Sequence, residues 1–148
     1  MNRFFSLTNL ACGLVVLTIP LLGCGDGRPT RVPISGQVLI DGKPLPQAFV
    51  KFVPEEGRAA GGNTDSDGRF TLTCYEAGDG ASIGLHKVSV RATDAVSNVA
   101  IRWRAPKKYQ DIETSEIEVE VSEPRDDLLI ELTWDGGKPF VEKDPRAL

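Results

Sequence analysis

The chain has 148 residues, with 17 Lys and Arg against 21 Asp and Glu and a formal charge of −4. That length fits one domain with a real core. The mild acidity excludes nucleic acid as a main partner, which would need a basic surface.

Met1-Asn2-Arg3 is a short positive start, and an apolar stretch follows from Phe4 to Leu22. It closes on Leu21-Leu22-Gly23-Cys24. A charged start, an apolar core and small residues at its end describe a secretory signal, to be set aside from the fold. Pro20 and Gly13 within it, and the lack of a charged cluster after Gly23, disfavour a transmembrane anchor. Leu21-Leu22-Gly23-Cys24 resembles the lipobox of bacterial lipoproteins. The resemblance implies cleavage before Cys24 and acyl chains on its thiol and new amino terminus. Two or three chains hold a protein on a bilayer where one is marginal.

Removing residues 1–23 leaves 125 residues with 16 basic and 21 acidic side chains, a net −5. Of the three cysteines, Cys12 leaves with the signal and Cys24 takes lipid, so Cys74 stands alone and no internal disulfide forms. Residues 24–32 read as a polar tether.

From Pro33 onward the chain alternates. Ile34, Val38 and Ile40 share one parity of a first strand, with Gly36 at a bulge or close approach. Asp41 to Leu45 is a turn. Ala48, Val50 and Phe52 share a face of the next strand, with Phe49 and Val53 opposite, which suggests cover on both sides. Residues 54–62 read as a mobile loop. Asn63-Thr-Asp-Ser-Asp-Gly68 is rich in side chains that bond nearby backbone, and it leads into a one-sided strand with Phe70, Leu72 and Cys74 on one face. Cys74 is thereby expected to be a buried small hydrophobe.

Residues 75–84 lack a pattern. His86, Val88, Val90 and Ala92 alternate with Lys87, Ser89 and Arg91. Residues 93–115 are the least regular, with a candidate extra strand where Val99, Ile101 and Trp103 alternate. Ile117, Val119 and Val121 alternate with three glutamates, and Leu128, Ile130 and Leu132 mark a last strand. Residues 134–148 read as a tail, so the folded unit is expected over 33–133. Short strands separated by turns predict an all-β chain, two antiparallel sheets packed as a sandwich.

Five segments in this order, Ile34-Ser-Gly-Gln-Val, Asp41-Gly-Lys-Pro-Leu, Val50-Lys-Phe-Val-Pro, Thr64-Asp-Ser-Asp-Gly-Arg-Phe and Gly84-Leu-His-Lys-Val-Ser-Val, resemble the carboxypeptidase regulatory-like domains. Ala105-Pro-Lys-Lys-Tyr-Gln-Asp and Thr114-Ser-Glu-Ile resemble a subgroup of small bacterial lipoproteins carrying that domain. The resemblance spans about Ile34 to Leu132. It implies a transthyretin-like, seven-stranded antiparallel sandwich, and it implies no reaction, because such domains are usually appended, non-catalytic modules. His86 stands where the family often has Tyr, and is expected to fill an aromatic slot.

Chemistry-bearing patterns are few. Asn63, Asp65, Asp67 and Gly68 match the start of a calcium loop, but Cys74 stands where the closing bidentate Glu belongs, and an Asx-rich turn explains the same residues. His86 is the one histidine, and no zinc cluster or phosphate loop is present. No cofactor is expected beyond the lipid on Cys24. The remaining candidate is Arg102, Trp103, Arg104, Lys107, Lys108 and Tyr109, where four cations and two aromatics fall in eight residues. Such a patch can stack on sugar rings or hold an anionic polymer. The alternative is that the rings pin a long loop and the cations are solvated.

The expected protein is therefore a lipid-anchored, non-enzymatic envelope module with a structural or protein-interaction role, facing the periplasm or the cell exterior. Its expected partners are the membrane and an envelope protein. A carbohydrate-binding module contacting envelope polysaccharide is the alternative.

Overall fold

A computed structural model describes residues 27–143. The signal segment, Cys24 and residues 144–148 lie outside them. Among the described residues no helix is long and apolar enough to cross a membrane.

The chain is all-β. Its strands run β1 (Arg31–Val32), β2 (Ile34–Ile40), β3 (Lys43–Pro44), β4 (Phe49–Pro54), β5 (Ala60–Asn63), β6 (Arg69–Thr71), β7 (Ala81–Ser82), β8 (Gly84–Arg91), β9 (Thr93–Ser97), β10 (Ala100–Trp103), β11 (Ile117–Val121), β12 (Arg125–Leu132) and β13 (Phe140–Lys143). One 3-10 turn, Lys107–Gln110, lies between β10 and β11.

Two larger sheets enclose the core, as in a β-sandwich. One has the order β11-β8-β4-β5, and the other has β2 between β12 and the pair β3 and β6. Val50 and Phe52 of β4, with Val88 and Val90 of β8, face Val38, Phe70, Ile130 and Leu132, all buried. Phe52 and Phe70 meet at 6.5 Å between ring centroids. A Gly61–Thr73 bridge, with reciprocal amide–carbonyl bonds of 2.9 Å, ties the two sheets at one edge.

The alternation sets most faces as expected. Phe70, Leu72 and Cys74 are buried, as are Leu128, Ile130 and Leu132, while Leu129 and Glu131 are exposed. The β2–β3 hairpin turns at Asp41 and Gly42, with φ of 47° and 75°. Two successive positive values make a turn whose twist matches the strands it joins. Gly36 sits at a close approach. A Cβ there would meet the Leu128 carbonyl oxygen at 2.0 Å, next to an irregularity in pairing between Arg125 and Leu128.

Several expectations need correction. The sheets are not wholly antiparallel, because β12 runs parallel to β2. Alternation fixes which face is buried but not strand direction. β4 is not covered on both sides, since Phe49 is 41% exposed. Residues 60–63 are a strand and not part of a loop, because β4 offers them a pairing edge. The tether ends sooner than residue 32, because Arg31 and Val32 pair with Ser82 and Ala81. The stretch read as a tail contains β13, which pairs with β10.

Candidate functional site

The corner carrying residues 102–109 is built from the small sheet β13-β10-β9 and the 3-10 turn behind it. The β10 register places Ala100 to Trp103 against Lys143 to Phe140 on one side and Ser97 to Thr93 on the other. Alternation along β10 puts Trp103 inward, 6% exposed, and leaves Arg102 outward.

Trp103 is held on three counts. Phe140 stacks on it at 6.3 Å and 18° between planes. Its Nε1–H donates to Glu142 Oε2 at 3.0 Å. Lys107 Nζ sits 5.3 Å from the ring centroid while bonding the other carboxylate oxygen of Glu142. Charge-assisted donors of this kind are among the stronger hydrogen bonds.

Tyr109 is also 6% exposed and belongs to the core. Its hydroxyl accepts from the Thr133 amide at 3.2 Å and faces the Thr133 carbonyl at 3.4 Å. Lys108 pairs with Asp135 at 3.1 Å. Arg104 clamps the corner to the sandwich: Nε reaches Asp94 at 2.9 Å, and its terminal nitrogens donate to the Pro46 and Gln47 carbonyls at 2.6 and 3.0 Å.

The six residues are thus brought together, but not as an open platform. Both rings are packed, and Arg104, Lys107 and Lys108 all have carboxylate partners. The expected ring face for a sugar is covered by Phe140, from the stretch expected to be a tail.

The 63–68 turn is organised by its own backbone. Asp65 Oδ1 accepts from the amides of Asp67 and Arg69 at 2.8 and 2.9 Å, and the Gly68 amide donates to the Asp65 carbonyl at 3.1 Å. Asn63 and Asp65 line an open cleft of about 440 Å³ together with Ser35, Arg69 and Asp126. Thr64 is buried and ties this turn to the neighbouring loop: its hydroxyl accepts from Ala48 N at 2.8 Å and donates to the Leu45 carbonyl at 2.7 Å. Among the described residues no group of three His, Cys, Asp or Glu is placed to hold a metal ion.

No family model, curated protein or solved structure matches this chain. Function must therefore be argued from these residues.

His86 is 1% exposed and its ring lies 5.9 Å from that of Phe52, the aromatic slot expected of it. Nδ1 is 3.0 Å from the Gly84 carbonyl, which can only accept, so Nδ1 carries the hydrogen. Nε2 is then the acceptor for the Ser82 hydroxyl at 3.3 Å. Burial holds the His86 pKa below its ordinary value, against the opposing pull of the Gly84 carbonyl and Glu120. Ser82 is the centre of Gly80-Ala-Ser-Ile-Gly84, a Gly-x-Ser-x-Gly match, but it lies on the short strand β7 and not on a strand-to-helix turn, and its hydroxyl and the His86 ring are both buried.

One cluster had no local sequence signal. The Tyr75 ring carries the guanidinium groups of Arg28, Arg31 and Arg58 at 4.7, 4.7 and 5.0 Å. Arg31 Nε lies 2.9 Å from Asp79 Oδ2, off the N–H axis, so the contact is ionic without being a directed hydrogen bond. Asp79 also accepts from the amides of Cys74 and Tyr75. Burial alone would raise the Asp79 pKa; the backbone amides of Cys74, Tyr75 and Glu76, with Arg31, outweigh that and hold it below the usual value. Burial, and then Asp79, push the Cys74 thiol up. A raised thiol that is 5% exposed is inert. The cluster fixes the place where the chain joins the fold.

Proposed function

We propose that this chain is a lipid-anchored module of the bacterial cell envelope, carried on Cys24, that acts by binding another protein and catalyses no reaction. Its domain is proposed to be a transthyretin-like, seven-stranded sandwich of the carboxypeptidase regulatory-like kind. The lipobox-like Leu21-Leu22-Gly23-Cys24 and the five ordered segments from Ile34 to Val90 support this.

The observation that carries the anchored reading is the short stretch of chain from Cys24 to β1. Arg31, the first residue of β1, is pinned by Asp79 and Tyr75 and pairs with Ser82. Seven residue steps from Cys24 span at most about 25 Å when fully extended. A domain on so short a leash stays beside the bilayer and meets envelope partners in two dimensions.

Fractionation of cells expressing the chain and its Cys24→Ser variant tests the anchor. The wild-type chain is expected in the membrane fraction and the variant in the soluble exported fraction. Equal soluble recovery of both would contradict the anchored reading. Crosslinking of the wild-type chain in intact cells is expected to give a discrete protein adduct; the absence of any adduct would contradict the binding role.

A further inference from the structure

We propose that the β13-side edge of β10, with Trp103 and Lys107 at its end, is an acceptor site for an extended protein segment bearing an aromatic residue and, two positions later, a carboxylate. β13 is then the resident occupant of that site. The proposal deepens the binding role given above and rests on it, but not on the lipid anchor.

The resident strand displays the recognition chemistry. Main-chain pairing runs from Ala100–Lys143 to Trp103–Phe140. Phe140 supplies the ring stacked on Trp103. Glu142 supplies the carboxylate, bound by the Trp103 indole N–H on one oxygen and the Lys107 ammonium on the other. Strand addition of this kind takes affinity from the backbone and specificity from alternate side chains. Phe140 and Glu142 are the alternate pair. The Lys107 ammonium, 5.3 and 5.7 Å from the Trp103 and Phe140 centroids, reads both features at once.

The occupant lies at an exposed edge of the fold. Phe140 is 40% exposed and Val141 51%. Among the described residues β10 is the strand it pairs with, and β13 forms the outer edge of its sheet. Its link to β12 contains Gly136 and Gly137, with Gly136 at φ 82°. An element with few buried contacts opens below the global unfolding free energy. Opening would strip Trp103 of its stacked ring and leave Lys107 without the Glu142 carboxylate. Exchange for a segment of the same pattern removes that penalty, whereas simple opening does not. With the Lys107 ammonium at the site and the exposed Arg102 beside it, the occupant exchanged in is an acidic, aromatic-bearing strand of another protein.

The test uses the full chain and a labelled peptide copying Lys138 to Lys143. Three proteins are compared: wild type, F140A/E142Q, and R102C/V141C, whose paired positions allow a disulfide that locks β13 in place. A tethered strand competes at roughly millimolar effective concentration. F140A/E142Q is expected to capture the peptide at least about tenfold more tightly than wild type. Oxidised R102C/V141C is expected to capture none, with wild-type binding restored by reduction. Capture by F140A/E142Q no better than wild type, with its near-ultraviolet circular dichroism native, would overturn the proposal. A wild-type dimer abolished by the disulfide would also overturn it, by making a second copy the occupant. Hydrogen exchange on wild type needs no variant: β13 amides are expected to exchange at least about a hundredfold faster than those of β4 and β8, and equal rates would overturn the proposal. In crosslinked cells, a partner adduct that persists with the locked variant would leave the binding role standing and sink the acceptor site alone.

Discussion

Glu142 Oε2 lies 3.0 Å from the indole nitrogen of Trp103, 39 residues earlier in the chain. This bond, with the Lys107–Glu142 pair and the Phe140 stack, joins the last described strand to the aromatic corner. E142A removes the Trp103 and Lys107 contacts together and is expected to lower the opening free energy of β13 by about 1.5–3 kcal/mol, the net worth of a hydrogen bond to a charged group. Global stability should move less, because β13 is the outer strand of its small sheet. Hydrogen exchange resolved by segment checks both.

The Thr64 hydroxyl is the corresponding joint in the 63–68 turn. It bonds Ala48 N and the Leu45 carbonyl while 4% exposed. Thr64→Val keeps the shape but leaves a buried donor and acceptor unsatisfied, at about 1–3 kcal/mol. Thr64→Ser keeps the hydroxyl and is expected to cost less than the Val variant. Urea titration of the two, compared at constant slope, separates the outcomes.

Gly36 is irreplaceable for a different reason. With the Leu128 carbonyl 2.0 Å from where a Cβ would stand, Gly36→Ala must part β2 from β12. Overpacking of this sort costs about 1–3 kcal/mol. Thermal melting of the variant is the check.

The sequence made the large strands legible because alternation reports one-sided burial directly. In the 63–74 stretch the faces were readable: Asp65 bonds its own turn, and Phe70, Leu72 and Cys74 are buried, but Asn63 belongs to β5 and β6 ends at Thr71. Gly36 was readable as a close approach because a lone glycine inside an apolar strand has few other uses. β13 was not readable, because four residues after a Gly- and Pro-rich run carry too little pattern, and they are ordered by Trp103 far upstream. The parallel direction of β12 was hidden for the reason that either direction buries Leu128, Ile130 and Leu132 equally. The residue 102–109 cluster was found by composition, yet composition could not show that Phe140 would cover Trp103. Arg28, Arg31 and Arg58 meet on Tyr75 only through the fold.

Two groups set separate pH windows. His86, buried with its pKa held below 6.5, stays neutral in the fold while the unfolded chain takes up a proton. Stability is therefore level above that pH and falls as pH drops below it, by at most about 1.4 kcal/mol per pH unit. H86F is expected to flatten that slope. Asp79, held below its ordinary 3.8, adds stability that is present above 3.8 and lost at lower pH. D79N should remove this second, more acidic slope and leave the first. Chemical denaturation from pH 3 to 8 tests both signs.

The intact mass of the chain purified from bacterial membranes tests the anchored module most directly. The expected species starts at Cys24, lacks residues 1–23, and is heavier than its remaining sequence by two or three acyl chains. An unacylated chain, or one starting at any other residue, would contradict the lipid anchor and the envelope role built on it.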